Sequence, residues 1–336
     1  MKFEPIMKGA VENYTPNPIA KQGLLRVRSA NDCINDAKSQ PVPQSLCGAF
    51  WFEGEVAILF ADTNVGKSIL AVQVADNISN GNNVGIFRSD TKPQKVSYLD
   101  FELSDKQFQK RYSIEWQNEY SFDNYFLRVM INVDFTDFED FEEKLFIDIE
   151  KIIEREQIKV WIIDNITYLR MQSTESGKEA LPLMKHLVQL KNKFGLSILV
   201  LAHTPKRPNP TMPLSVNDLA GSRQLANFAD SIFCMGKSNQ SGDLRYIKQL
   251  KARSCGVQEE VYVCKLDKPY NFLGFEFLQE DFENNHLQTN NEADEGLKAT
   301  IIEMKAENPD VSLSTIAEKT GTNKMKVQRT IKKCNL

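Results

Sequence analysis

Residues Glu55 to Ala75, EVAILFADTNVGKSILAVQVA, constrain this chain more than any other stretch. An apolar run, Val56 to Phe60, gives way to a short polar loop, Asp62 to Val65. Gly66-Lys67-Ser68 then leads straight into an apolar periodicity at Ile69, Leu70, Val72 and Val74. The order is strand, loop, helix, and the loop ends as a phosphate-binding loop does. Backbone N–H groups converging at a helix N-terminus hold phosphate oxygens. Gly66 lets the backbone come close, Lys67 reaches the β and γ phosphates, and Ser68 offers a hydroxyl to Mg²⁺. Asp62, Thr63, Asn64, Val65, Gly66, Lys67 and Ser68 are therefore candidate contacts for ATP, with Mg²⁺ as its companion. Ala61 stands where the pattern G-x-x-x-x-G-K-[ST] has its first glycine. An alanine is strained at positive φ, so either Ala61 stays extended or the loop carries strain. A chance G-K-S in a surface turn is the competing reading, and the flanking strand and helix weigh against it.

Composition narrows the classes. The 336 residues are 41% hydrophobic and 26% charged, with a net charge of −4. This is globular composition, long enough for two domains or one domain with an appendage. The acidic balance excludes binding of polyanions by overall charge, so a nucleic-acid site must be a local patch. Cys33, Cys47, Cys234, Cys255, Cys264 and Cys334 show no metal-ligand spacing. They read as reduced thiols of a cytoplasmic protein. No apolar run approaches membrane-spanning length, and no signal peptide opens the chain.

Three further strand ends carry polar groups. Lys95 to Phe101 reads as a strand ending in Glu102-Leu103-Ser104, before a helix of exposed charge, Asp105 to Arg111. Open α/β sheets place chemistry at the carboxyl ends of strands. Glu102 is thus a candidate general base for a water attacking a γ-phosphate. Asp100 shares its strand face, and Glu102, at the strand end, is preferred. Phe138 to Ile153 reads as an amphipathic helix with an acidic, solvated face. Val160-Trp161-Ile162-Ile163-Asp164-Asn165 is the Walker B pattern, a strand buried on both faces from which Asp164 emerges to hold Mg²⁺ through water. Leu181 to Phe194 reads as another helix, and Leu196 to Ala202 as a strand ending at His203. A lone histidine is most often structural; beside two other polar strand ends, His203 reads as a γ-phosphate sensor. Pro41 to Phe52 is expected to fold over the edge of the nucleotide site. Phe50, Trp51 or Phe52 are candidates to border the base, with core packing the plainer reading of each.

The rest of the chain points to DNA. Lys206 and Arg207 open a long loop running to about Val216; such loops are commonly functional, and the two cations are candidate DNA contacts against a merely solvated loop. A helix and a strand, Asp230 to Met235, follow. Arg245 to Arg253 alternates like a strand and delivers Lys248, Lys251 and Arg253. Val261 to Lys265 and Phe272 to Leu278 read as antiparallel strands. Phe282 to Ala293 is a polar linker. Beyond it, Ala299 to Ala306, Thr315 to Lys319 and Thr322 to Lys333 have the spacing of a helix-turn-helix, with Gly321 at the turn and Val327 and Ile331 inward. From 312 to 336, Lys319, Lys324, Lys326, Arg329, Lys332 and Lys333 stand against Glu318 alone. Lys324, Lys326, Gln328 and Arg329 are candidate DNA contacts, against a protein-docking module.

These residues resemble the RecA-like ATPases of the DnaB and RepA helicase superfamily, most nearly the RepA-type ATPases of plasmids and other mobile elements. The similarity covers roughly residues 45 to 280 and rests on ADTNVGKS, LDFELS, VWIIDN, LVLAHTPK, DLAGSRQLANFAD and IKQLKARSCG. By position it implies Glu102 as the catalytic glutamate, Asp164 as the Mg²⁺ aspartate and His203 as the sensor. It also implies Lys251 and Arg253 as fingers inserted into a neighbouring subunit's ATP site, hence a ring or filament, usually a hexamer. Ala61 departs from the family, with consequences for ATP affinity more than for fold. The expected layout is a partly ordered lead-in, 1–44, a candidate to pack on a neighbouring subunit; an α/β RecA-like P-loop core with a mostly parallel sheet, 45–280; a linker, 281–295; and an all-α helix-turn-helix domain, 296–336. The expected function is a replicative DNA helicase that threads single strands past the loop after His203. The alternative is an ATP-switched, site-specific DNA-binding or loading factor. A ligand-gated transcription regulator is the third reading.

Overall fold

The structure, a computed structural model, describes residues 25, 27–132, 134, 140–169, 177–204, 211–219, 222–288 and 290–333. The chain divides into two units, Met1–Val42 and Pro43–Leu336. In the first, helix α1 (Ala30–Ala37) opens at Ser29, whose side chain accepts a hydrogen bond from the Asp32 N–H at 3.1 Å, and it buries no residue.

The second unit begins with a small hairpin, β1 (Ser45–Cys47) and β2 (Trp51–Phe52). Then come β3 (Val56–Ala61), α2 (Lys67–Asn80), β4 (Val96–Asp100), α3 (Asp105–Arg111), the hairpin β5 (Ser113–Ile114) and β6 (Gln117–Glu119), and β7 (Phe126–Val129). The chain continues through α4 (Phe141–Glu156), β8 (Val160–Asp164), α5 (Gly177–Phe194), β9 (Ser197–His203), α6 (Ser222–Phe228) and β10 (Ser231–Lys237). Three strands follow, β11 (Leu244–Lys251), β12 (Val261–Asp267) and β13 (Gly274–Asp281), and then α7 (Asn290–Glu307), α8 (Leu313–Thr320) and α9 (Lys324–Lys333).

Nine strands form one sheet in the order β13-β12-β11-β10-β3-β9-β8-β4-β7. From β10 to β7 every pairing is parallel; β10, β11, β12 and β13 pair antiparallel. The parallel strands are apolar on both faces because helices cover both. On one face Phe146, Ile149 and Ile153 of α4 and Leu183, Leu187 and Leu190 of α5 pack against Ile58, Trp161 and Val200. On the other, Leu70, Val74 and Ile78 of α2 pack against Leu59, Tyr98 and Ile162. This is the α/β, RecA-type architecture, with a small helical module after it. The short strands β5, β6 and β7 carry no apolar alternation and are absent from the sequence reading.

Two expectations are corrected by this frame. Phe50 and Trp51 do not border a nucleotide: they are buried in the core, Phe50 against Phe87, Phe233 and Tyr262. The indole N–H of Trp51 donates to the Glu55 carbonyl at 3.4 Å. Glu55 precedes β3, at the end of the strand opposite the phosphate loop, so the hairpin closes the far end of the sheet. The polar stretch after β13 is also docked rather than loose. Glu283 is buried, pairs with Lys248 and accepts the Leu214 N–H at 2.6 Å; His286 is buried between Ser238 (2.8 Å) and Asp281 (3.1 Å). Helix α7 begins at Asn290, within the stretch read as linker. The module built by α7, α8 and α9 has its own apolar cluster, Ile301, Ile316, Ala317, Val327 and Ile331.

Candidate functional site

Four adjacent parallel strands, β3, β9, β8 and β4, end at one place. Ala61 pairs with His203, and Asp100 pairs with Asp164. Their carboxyl ends surround a cleft of about 240 Å³ lined by Thr63, Asn64, Val65, Gly66, Lys67, Ser68, Ile69, Glu102, Arg111, Asp164, His203 and Leu266. Sequence reasoning named nine of these twelve; Ile69, Arg111 and Leu266 it did not.

The phosphate loop has its expected form. Ala61 is the last residue of β3 and is fully buried. Positive φ falls at Asn64 (60°) and Gly66 (118°) instead. The missing glycine thus leaves Ala61 unstrained. Gly66 is required twice over: its φ disfavours any side chain, and a Cβ there would lie 2.7 Å from Phe275 Cζ. Gly66 caps α2 without a side-chain hydrogen bond. The first-turn N–H groups of a helix have no partner within it, and here they face the cleft. Asp62 does not line the cleft; its carbonyl holds Lys67.

Lys67 is 6% exposed, and its Nζ donates to the carbonyls of Ala61 (2.9 Å) and Asp62 (3.0 Å) and lies 3.2 Å from His203 Nδ1. Burial lowers its pKa, against the opposing charges of Asp164, Glu102 and Asp62. Burial, then the Lys67 charge, also holds the His203 imidazole below its ordinary value, so it is neutral at neutral pH.

Asp164 is 2% exposed. Burial pushes its pKa up to about 6, opposed by hydrogen bonds from Ser68 and from Tyr98, whose hydroxyl donates at 2.6 Å. The Ser68 hydroxyl and the Asp164 carboxylate, already in contact, are the pair that Mg²⁺ would join. Among the described residues no cage of three or more His, Cys, Asp or Glu is present. That suits Mg²⁺, which takes one or two protein groups and completes its shell with phosphate and water. The orphan amides, the lysine and this pair fit Mg·ATP.

Glu102 is presented by its neighbours. The Asp100 carboxylate accepts the Glu102 and Leu103 N–H groups, both at 3.0 Å, and pairs with Arg128 at 2.9 Å. Asp100 thereby shapes the turn and stays buried, while Glu102, one-third exposed, faces the cleft. Asn165, 1% exposed, donates to Glu102 Oε1 at 2.6 Å. Arg111 was read as surface charge on a helix. Its guanidinium lines the cleft instead, with Nη1 buried and without a hydrogen-bond partner. Neither residue has a local signal; only the folded chain brings them here.

Lys251 and Arg253 lie elsewhere. Lys251 pairs with Ile232, which pairs with Ile58, so both residues sit toward the amino end of β3. Lys251 donates to the Ala226 and Ala229 carbonyls at 2.8 and 2.7 Å, and Arg253 pairs with Asp230 at 2.6 Å. Asp230 in turn accepts the Val56 N–H at 2.9 Å. Ile58 stands three residues, about 10 Å, from the last residue of β3, and both cations are engaged by Ala226, Ala229 and Asp230 rather than by the phosphate loop. Lys206 and Arg207 lie outside the described residues. Lys324, Lys326, Gln328 and Arg329 are exposed on α9, whose inward face is Val327, Thr330 and Ile331.

A phosphate loop, a Walker B aspartate and a strand-end glutamate on a mostly parallel sheet define a P-loop nucleotide-binding protein. The family described as AAA domain matches residues 25–209, more than half of the chain, and the chain belongs to that family of P-loop ATPases. No curated protein matches it. Among solved structures it is similar to a KaiC-like protein from the hyperthermophilic archaeon Pyrococcus horikoshii OT3, at 13% identity and a TM-score of 0.47, over 67% of this chain and 91% of that one. Among the described residues no helix is long and apolar enough to cross a membrane.

Proposed function

We propose that this chain is a cytoplasmic ATPase that hydrolyses Mg·ATP between subunits of a ring, a hexamer by resemblance, and uses the cycle to drive a DNA helicase of a plasmid or other mobile element. The observation that carries the hydrolytic part is the convergence of Lys67, the Ser68–Asp164 pair, Glu102 and His203 at four adjacent strand ends. Lys67 and the loop amides hold the phosphates. Glu102 takes a proton from the attacking water as its oxygen bonds to the γ-phosphorus, and the bond to the bridging oxygen breaks with its electrons leaving on ADP. Ser68 and Asp164 would hold Mg²⁺, which would supply charge neutralisation to the phosphates. His203 faces the γ-phosphate as its sensor.

Where the cations stand supports the proposed assembly. Lys251 and Arg253 are engaged away from their own cleft and act as fingers on a neighbour's, a role worth about 10³ to 10⁵ in rate for arginine fingers. Single-stranded DNA passes the loop bearing Lys206 and Arg207. The second reading, an ATP-switched loading factor, is favoured by α9, whose exposed Lys324, Lys326, Gln328 and Arg329 suit a duplex groove when α8 and α9 act as a helix-turn-helix.

The deciding experiment is the ATPase rate of the purified protein alone, with single-stranded DNA and with duplex, with assembly followed by light scattering. Stimulation by single strands in a ring-sized species, and unwinding of a forked duplex, support the motor. Site-specific duplex binding with assembly but no unwinding supports the loading factor. ATPase activity indifferent to both DNAs removes the coupling to DNA altogether.

A further inference from the structure

Asn165 follows the Walker B aspartate and is 1% exposed. Its amide is fully engaged. Oδ1 accepts the Thr167 N–H at 3.0 Å and the Thr167 hydroxyl as well. Thr167 thus fixes which end of the amide points where. The two amide hydrogens are turned to the cleft, where Nδ2 lies 2.6 Å from Glu102 Oε1 and 2.9 Å from His203 Nε2. Nδ2 can only donate, so both partners must accept.

That requirement conflicts with the other side of the ring. His203 Nδ1 lies 3.2 Å from Lys67 Nζ, and an ammonium can only donate. A neutral imidazole has one N–H and one lone pair, so it can accept from Lys67 or from Asn165, and not from both. The conflict ends when Lys67 leaves the ring for an incoming polyphosphate. His203 then carries its proton on Nδ1, toward the space Lys67 vacates, and accepts the Asn165 amide at Nε2. The same amide holds Oε1 of Glu102 and leaves Oε2 for water.

We propose that Asn165 is a positioning residue that ties His203 to Glu102, so that the movement of Lys67 onto the phosphates sets the histidine tautomer and the orientation of the glutamate together. This rests on the reading of the cleft as an ATP-hydrolysing site with Glu102 as base. Asn165 acts through Glu102 and His203, the groups its amide holds.

The test uses the full chain and two variants. Asn165→Ala removes the link. Asn165→Asp keeps an acceptor for Thr167 but turns a carboxylate oxygen toward Glu102 and His203, and it is the variant to read if the alanine variant fails to fold by circular dichroism. The expected result for Asn165→Ala is a single-turnover rate lower by about 10- to 100-fold, what the loss of a hydrogen bond to a charged group corresponds to. Affinity for a non-hydrolysable ATP analogue should change less than about threefold, since the phosphate contacts are intact.

The second readout is independent of turnover. The chain has three histidines, His186, His203 and His286, so nitrogen NMR of the imidazoles is sparse, and His203→Gln assigns its signal. In the wild type, the analogue should drive His203 to the form protonated on Nδ1. In Asn165→Ala that response should be lost, and in Asn165→Asp the proton should stand on Nε2. A rate within threefold of the wild type, or an unaltered His203 response in both variants, overturns the proposal. A wild type no faster than Glu102→Gln overturns the assignment of Glu102 instead, and the imidazole signals still decide whether Asn165 controls His203.

Discussion

Asp76, on α2, is a carboxylate 5% exposed, with Oδ2 accepting from the Tyr120 hydroxyl (2.8 Å) and the Asn80 amide (3.2 Å) and Oδ1 without a partner. Burial pushes its pKa up to about 6, against those two hydrogen bonds. The folded value lies above the unfolded one, so the native state binds the proton more tightly. Stability from this group is therefore greatest below about pH 4, falls as pH rises to about 6 and is level beyond. Asp76→Asn should stabilise the protein by about 1–3 kcal/mol near pH 8 and by little near pH 4, as read by urea unfolding; an equal effect at both pH values would contradict the assignment. Arg111 is the converse, a half-buried cation whose buried Nη1 is an open donor at the cleft. Arg111→Ala should weaken binding of an ATP analogue about tenfold, the order of one charge-assisted hydrogen bond, and undiminished affinity would count against its aim at the phosphates. Neither residue was legible in the chain. Arg111 sits among charges on a short helix, and nothing local tells a solvated guanidinium from one folded under a loop. Asp164, Glu102 and His203 were legible because each stands at the end of an apolar run whose carboxyl end faces the cleft, and Lys67 because a G-K-S closes the loop between an apolar run and a helix.

At the scale of elements, the strands that are continuous apolar runs were readable, and those that are not were missed. β3, β8 and β9 are buried nearly throughout, so their composition alone marks them. β7 is an edge strand of four half-buried residues, and its pairing with β4 is decided by neighbours. The turn after β4 shows the same limit: Asp100 and Arg128, 28 positions apart, hold Glu102 in place. In the terminal module the inward positions Val327 and Ile331 were readable from helical spacing, whereas the start of α7 at Asn290 was not, since polar residues suit a linker and a solvated helix alike. Five buried residues hold this module, so it has little stability in reserve. Ile316→Ala should remove about 2–5 kcal/mol and melt α7, α8 and α9 selectively. Duplex binding should then be lost, with ATPase activity without DNA kept. Loss of both at once would mean that the module and the sheet unfold together.

The whole molecule presents a cleft at one end of its sheet and two cations, Lys251 and Arg253, toward the other. Within one chain they hold the end of α6 and Asp230. In the proposed ring, the end of one copy that bears these cations would meet the cleft of the next, as rings close by head-to-tail contacts. The resemblance implies this role from a short motif, and the position of both cations away from their own chain's cleft is compatible with it. The most direct measurement mixes Arg253→Ala subunits with Glu102→Gln subunits. Each alone should be nearly inactive. In an equal mixture about a quarter of the interfaces would pair an intact Glu102 with an intact Arg253, and ATPase activity should return toward that fraction of the wild type. No recovery at any mixing ratio, in a mixture shown by light scattering to assemble, would contradict a site shared between subunits.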